Sequence, residues 1–328
     1  MFNVSTLTLQ ADYGDAPAQF TLGGIYQAGA GDIAPNLPKA ISFYFKAATQ
    51  GHVEAQLRLG LLLVDDVAKA GIKSNPRQAF EWLSKAANAG NADAQHRIGL
   101  MLLDGDGIEK NEQAGIEWLE KSVAQGSSIA QFALGQRLAK GEGIEQDVPR
   151  AHQLLLQATK QDHGEATYHL AMLLENGDGF DKDLQPLAAR MYVRAFSKHS
   201  MLKAAHRLAM MYAKGSGVGR DPHLAKSLFE YEVGAGGNAG MYGLGMLLGG
   251  DEVRDLPNAV MWTVLSIEHC PEDPGATLLQ SLSDLATPQQ IANGRMRAET
   301  WKRVPRVNPL SNPVDDADEF SEINFPAA

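Results

Sequence analysis

Small and apolar residues return along this chain at i, i+4, i+5 and i+8, the spacing of one buried helical stripe. Each stripe starts on a small residue and reaches an apolar–small pair four positions later. The first four are Ala18 with Leu22-Gly23, Ala55 with Leu59-Gly60, Ala94 with Ile98-Gly99 and Ala130 with Leu134-Gly135. Three more follow at Ala166 with Leu170-Ala171, Ala204 with Leu208-Ala209 and Gly240 with Leu244-Gly245. Neighbouring anchors lie 36 to 39 residues apart. A second series, Ala40, Ala79, Ala114, Ala151, Ala188, Ala225 and Ala259, keeps steps of 34 to 39 and marks a second helix in each unit. Two anchor series holding one period predict an array of seven helix pairs.

The polar punctuation fits that reading. A Gly-x-Gly closes the first helix at Gly29/Gly31, Gly105/Gly107, Gly141/Gly143, Gly177/Gly179 and Gly215/Gly217. Glycine takes the left-handed conformation that ends helices. N-cap candidates for the second helix follow at Asn36, Asn75, Asn111, Asp147, Asp183, Asp221 and Asp255. Proline stands in the first turn at Pro38, Pro76, Pro149, Pro222 and Pro257, where its missing N–H costs nothing. Lys46-Ala47-Ala48 with Gly51, and Lys85-Ala86-Ala87 with Gly90, show how the second helix ends. Small residues at fixed points on both helices let backbones approach. One pair buries too little apolar area to stand alone, so the stack supplies the core.

These residues resemble the Sel1-like repeat family, a relative of the tetratricopeptide repeat. The pattern is A-x-x-x-LG, then G-x-G, then D/N-x-x-x-A, then KAA-x-x-G, and seven units carry it between residues 15 and 270. The resemblance implies an all-α, right-handed α/α superhelix (solenoid). The KAA position loosens to Arg194-Ala195-Phe196 in unit five and Glu232-Val233-Gly234 in unit six. Unit two lacks the Gly-x-Gly, and Asp65 to Ser74 reads as a loop bulging from the array.

Residues 1–14 read as a lead-in, with a brief extended stretch at Thr6 to Leu9. Residues 271–302 read as a capping helix pair. Thr287-Pro288-Gln289-Gln290 supplies an N-cap, a proline at the first position and a glutamine that closes a capping box. Residues 303–328 are rich in proline, asparagine and acids, a composition that predicts disorder. Net charge is -10. Asp315, Asp316, Asp318, Glu319 and Glu322 of the tail account for half of it. That balance argues against a nucleic-acid partner. No apolar run is long enough to span a bilayer. The first residues lack a basic and then apolar leader, so the expected compartment is the cytoplasm, or the periplasm if a leader has been removed. Cys270 stands alone, which leaves no intrachain disulfide framework.

Catalytic and cofactor motifs are thin, and no cofactor or metal is expected. Ser200-Met201-Leu202-Lys203 matches S-x-x-K without the S-D-N and K-T-G partners of β-lactam enzymes. A β-lactam-binding or hydrolysing activity on Ser200 and Lys203 is the enzymatic alternative. The nine histidines form no H-E-x-x-H. Asp104-Gly105-Asp106-Gly107 opens like a calcium loop, but Ile108 breaks the ligand series. Gly215 to Gly219 lacks the strand and lysine of a phosphate loop.

The binding reading is better supplied. In tetratricopeptide-like arrays the first helix lines the concave face. Two positions per helix would then face a partner. The first holds Phe20, Leu57, His96, Phe132, Tyr168, His206 and Tyr242. The second holds Gly24, Leu61, Leu100, Gln136, Met172, Met210 and Met246. Methionine adapts its shape to a peptide. The first set equally suits packing between repeats, and the sequence leaves both readings open. Arg58, Arg97 and Arg207 lie between the two positions, to hold a ligand's acids or to pair locally. The expected function is a non-enzymatic scaffold or adaptor binding a protein or peptide on the concave face; an immunity protein that neutralises a toxin is a narrower version.

Overall fold

A computed structural model describes residues 4–66, 74–177, 184–270 and 274–310. Among these residues there are seventeen α-helices, one π-helical turn and no strand beyond an isolated bridge between Ala30 and Ile33. The chain divides into two compact units that part between Gln161 and Asp162.

The first unit begins with α1 (Val4–Asp12) and continues through four helix pairs. These are α2 (Ala16–Ala28) with α3 (Leu37–Thr49), α4 (Val53–Leu61) with α5 (Pro76–Asn88), α6 (Ala92–Asp104) with α7 (Glu112–Ala124), and α8 (Ser128–Lys140) with α9 (Val148–Lys160). The second unit holds α10 (Gly164–Asn176) with α11 (Gln185–His199), α12 (Leu202–Lys214) with α13 (Pro222–Gly234), and α14 (Ala239–Gly249) with α15 (Leu256–His269). The capping pair α16 (Gly275–Leu285) and α17 (Pro288–Thr300) packs on α15. Thr287 and Gln290 form the full capping box expected of them.

The stretch expected to be extended, Thr6 to Leu9, is helical. Leu7 and Ala11 share one helical face and join Ala18 and Leu22 in an apolar cluster, so the i, i+4 stripe overrides the Thr-Leu alternation. In unit two α4 runs on into the π-helical turn Leu62–Asp66. The rest of that expected loop, residues 67–73, lies outside the described residues, as do Gly179 and Asp183. Of the tail, residues 301–310 are non-helical and lie against α13 and α15: Trp301 meets Trp262 edge-on at 5.5 Å, and Arg306 faces Glu230 at 3.8 Å. Residues 311–328 lie outside the described residues.

Caps form where the polar punctuation placed them. Asn36, Asn75, Asn111, Asp147, Asp221 and Asp255 each accept a backbone N–H in the first turn of the second helix. First helices are capped too, by Asp15, Asn91 and Ser127. In two repeats a histidine does this work: the Nδ1 atoms of His52 and His163 accept from Ala55 and Ala166 at 3.2 Å. The accepting nitrogen must be unprotonated, and burial lowers the pKa of His163, in keeping with that.

One feature of the first unit follows the period without belonging to the apolar stripe. Gln19, Gln56, Gln95 and Gln131 each follow the first anchor, and all four are buried. The first three donate to carbonyls near the end of the preceding helix: Ala11 at 3.0 Å, and Ala48 and Ala87 at 3.1 Å. Each of those helix-end carbonyls also takes one N–H from the turn that follows, Gly14, Gly51 or Gly90, at 3.0 Å, and the glutamine supplies a second donor. The side-chain oxygens of Gln19, Gln95 and Gln131 accept in turn from Gln50, Gln125 and Gln161 at 2.7 to 2.9 Å. A ladder of amides thus joins consecutive repeats. Gln95→Leu buries an apolar group where the amide stood and removes its bonds to Ala87 and Gln125; the Ala87 carbonyl keeps the Gly90 N–H at 3.0 Å and the exposed Gln125 amide turns to water. The substitution should destabilise the protein by about 1 kcal/mol, read as a lowered urea midpoint, whereas Gln113→Leu on the surface should leave the midpoint in place.

Candidate functional site

The first-helix positions expected to face a partner fall into two environments. At the first position the side chain leans on the second helix of its own repeat. Phe20 lies 5.7 Å from Tyr44 and stacks on His52 at 4.7 Å. Tyr168 lies 5.7 Å from Tyr192, and His206 meets Phe229 at 5.5 Å. Leu57 and Tyr168 are buried; Phe20, His96, Phe132, His206 and Tyr242 are half-buried. At the second position Leu61, Leu100, Gln136, Met172, Met210 and Met246 are all half-buried, as is Gly24.

The structure brings Met210 and Met246 together on one cavity of about 430 Å³. Leu278, Leu282 and Leu285 of α16 complete its apolar wall, and Phe229 lies beneath. Leu285 is 57% exposed, so the cavity opens as a groove rather than closing as a core void. Its wall holds no histidine or cysteine, and apolar side chains with few polar groups are what a recognition pocket uses. The contribution of α16 was not visible in the repeat pattern, because the cap has no anchor of its own.

The arginines between the two positions differ. Arg58 is exposed. Arg207 Nη1 stands 3.8 Å from Glu175, which also accepts from the Tyr192 hydroxyl at 2.6 Å. Burial first, and then the bond to Glu175, push the Tyr192 phenol far above its ordinary range. Arg207 is therefore held by a local acid.

The S-x-x-K residues are part of the repeat's turn. Ser200 ends α11 with φ 53, the place where Gly51, Gly90, Gly126 and Gly236 give other repeats a positive φ. It is exposed. Lys203 enters the first turn of α12, 3.8 Å from Glu165, with its ammonium over the Tyr168 ring at 5.7 Å. Among the described residues no group of three His, Cys, Asp or Glu side chains is placed to hold a metal ion, and no helix is long and apolar enough to cross a membrane.

Two alignments made on the sequence shift by one residue. In unit three Gly115, not Ala114, is buried and faces Gly99. In unit six the small-residue place of Ala47, Ala86, Ala158 and Ala195 is taken by Glu232 itself. This glutamate is 3% exposed and accepts from His206 Nδ1 at 3.0 Å.

A stack of helix pairs, closed on small residues and capped at one end, defines an α-helical repeat protein of the solenoid class. The chain belongs to the Sel1 repeat family, which it matches at residues 16–52, 53–91, 92–127, 128–163, 164–199, 202–231 and 238–268. Repeats of this kind generally mediate protein–protein interaction. Among solved structures, the chain is similar to c5321, described as a protective antigen present in uropathogenic Escherichia coli strains and displaying an SLR fold. The TM-score is 0.77 at 25% identity over 91% of this chain, which spans 64% of that protein. It is also similar to a Sel1 repeat protein from Oxalobacter formigenes, with a TM-score of 0.56 and 26% identity over 69% of this chain and 95% of that one. The immunity protein Pa5087 from Pseudomonas aeruginosa is a more distant likeness, at 18% identity, 58% and 73% coverage and a TM-score of 0.37 that bears on no function. No curated protein matches the chain.

Proposed function

We propose that this protein is a non-enzymatic scaffold that binds a partner protein or peptide on the first-helix face, through the second position of repeats five to seven. The observation that supports this is the half-buried state of Met172, Met210 and Met246, two of which open onto one apolar groove. Tyr168 and His206 stand behind that surface, engaged with Tyr192 and Phe229, and fix the helices that present it. Methionine suits this role because its thioether chain re-packs around varied partners at small cost. The turn role of Ser200 and the ion pairing of Lys203 favour this reading over the β-lactam one.

The test is a pair of baits. The full chain and its Met172→Lys/Met210→Lys variant are compared by affinity capture and mass spectrometry, with thermal melts as the folding control. A partner held by the parent should be lost from the variant while both melt cooperatively. Capture of the same proteins by both baits would place the binding surface elsewhere.

A further inference from the structure

We infer that the groove of repeats six and seven takes a partner segment in which a bulky apolar side chain stands next to a carboxylate. This rests on the reading of the first-helix face as the binding surface and adds the chemistry of the partner.

The apolar half follows from the walls. Met210, Met246, Leu278 and Leu282 surround about 430 Å³, a volume in the range of sites that enclose whole side chains or small ligands. The groove reaches the Phe229 ring because position 243 is glycine; any β-carbon there would collide with that ring. Leucine, phenylalanine or methionine from a partner would bury apolar area on both methionines.

The acidic half follows from the rim. Arg220 and Glu252 form an ion pair, and Arg254 holds Asp251. Lys214, at the end of α12, lines the same cavity and has no carboxylate partner among the described residues. Lys214 and Arg220 balance Asp251 and Glu252 on the wall, and Arg254, which neutralises Asp251 from outside it, leaves one positive charge in excess beside the apolar well. An acidic neighbour of the buried side chain would complete it, whereas a basic one would meet like charge.

The test uses random heptapeptides displayed on phage and selected on the full chain. Selected sequences should pair Leu, Phe or Met with an adjacent Asp or Glu. The Kd of the best synthetic peptide should rise about tenfold or more in Met246→Lys. It should rise about fivefold in Lys214→Glu, the worth of one exposed ion pair. Lys214→Glu alters only an exposed charge, so its melting curve should match the parent, and fresh selection on it should turn to Lys or Arg beside the apolar residue. Apolar peptides with no charge preference on either protein overturn the acidic partner. Peptides lost on Met172→Lys but not on Met246→Lys overturn this groove and leave the wider face standing. Peptides indifferent to both substitutions overturn the face itself, and a selection with no enrichment overturns the groove.

Discussion

Gly99→Leu should abolish the cooperative thermal transition of the first unit, and even Gly99→Ala should lower stability, by up to about 2 kcal/mol. Alanine is the better helix former, by about 1 kcal/mol in a helix interior, so propensity alone gives the opposite sign. Packing reverses it. A β-carbon on Gly99 would lie 2.8 Å from Leu119 Cγ and 2.9 Å from the Gly115 carbonyl oxygen. The leucine end can swing aside; the backbone oxygen of α7 cannot. Overpacking of this kind costs about 1–3 kcal/mol, more than the propensity gain. The contact is reciprocal, since a β-carbon on Gly115 would lie 2.8 Å from the Gly99 oxygen. Gly135→Ala is the internal control. There the nearest atoms are Leu155 Cγ at 3.1 Å and the Ala151 oxygen at 3.3 Å, so clash and propensity should nearly cancel. Urea titrations of the two alanine variants decide the matter. If Gly99→Ala is as stable as Gly135→Ala, close approach of the two backbones is not what the glycine is for.

That contrast shows how far the repeat could be read from residues alone. Period and small-residue spacing located every helix pair, because burial of one face repeats with the turn of the helix. They did not fix register where two small residues adjoin. Ala114 and Gly115 both satisfy a search for a small side chain, and only the meeting of α6 and α7 shows which one faces inward. The glutamine ladder escaped for another reason. Gln19, Gln56, Gln95 and Gln131 keep the period but are polar, and a hydrophobic pattern assigns polar positions to solvent. Three of them meet carbonyls at the end of the preceding helix, and Gln131 meets Gln157, partnerships that no single segment reveals.

The surface was less legible than the fold. First- and second-position residues both lie on the first helix, and periodicity alone gives them one face. They differ in what stands opposite. The first position meets a large side chain of its own repeat's second helix, Tyr44, Tyr192 or Phe229, four residues past the anchor. The second position of repeats six and seven opens onto the groove. Leu278, Leu282 and Leu285 could not be assigned to that groove in advance, because α16 follows the last repeat and keeps none of its spacing.

His206→Ala should destabilise the second unit by about 3 kcal/mol, far more than loss of a half-exposed imidazole would suggest. The reason is Glu232. Its carboxylate occupies the inter-repeat place that other units fill with alanine, and room for it is made by Gly237 and Gly240, whose β-carbons would lie 2.6 Å from Glu232 Cγ and 2.9 Å from Oε2. The side chain is 5% exposed, and His206 Nδ1 holds it at 3.0 Å. Removing one partner of a buried pair leaves the other desolvated and alone, at a cost of about 3–5 kcal/mol. The lower end applies because the His206 side chain is 27% exposed, so some water reaches the pair. Glu232→Ala restores the residue used in four other repeats and removes the buried charge. It leaves only a cavity and should cost about 1–2 kcal/mol, below the usual range for truncating a large core side chain. Adding His206→Ala to Glu232→Ala should then cost little more, since the imidazole has no buried acid left to serve. A double-mutant cycle by urea unfolding measures this directly, with an expected coupling of nearly the whole His206→Ala loss, about 3 kcal/mol. Additive losses, or a His206→Ala variant no weaker than Glu232→Ala, would show that the glutamate is solvated or held by other groups and that the imidazole is dispensable to the packing of repeats six and seven.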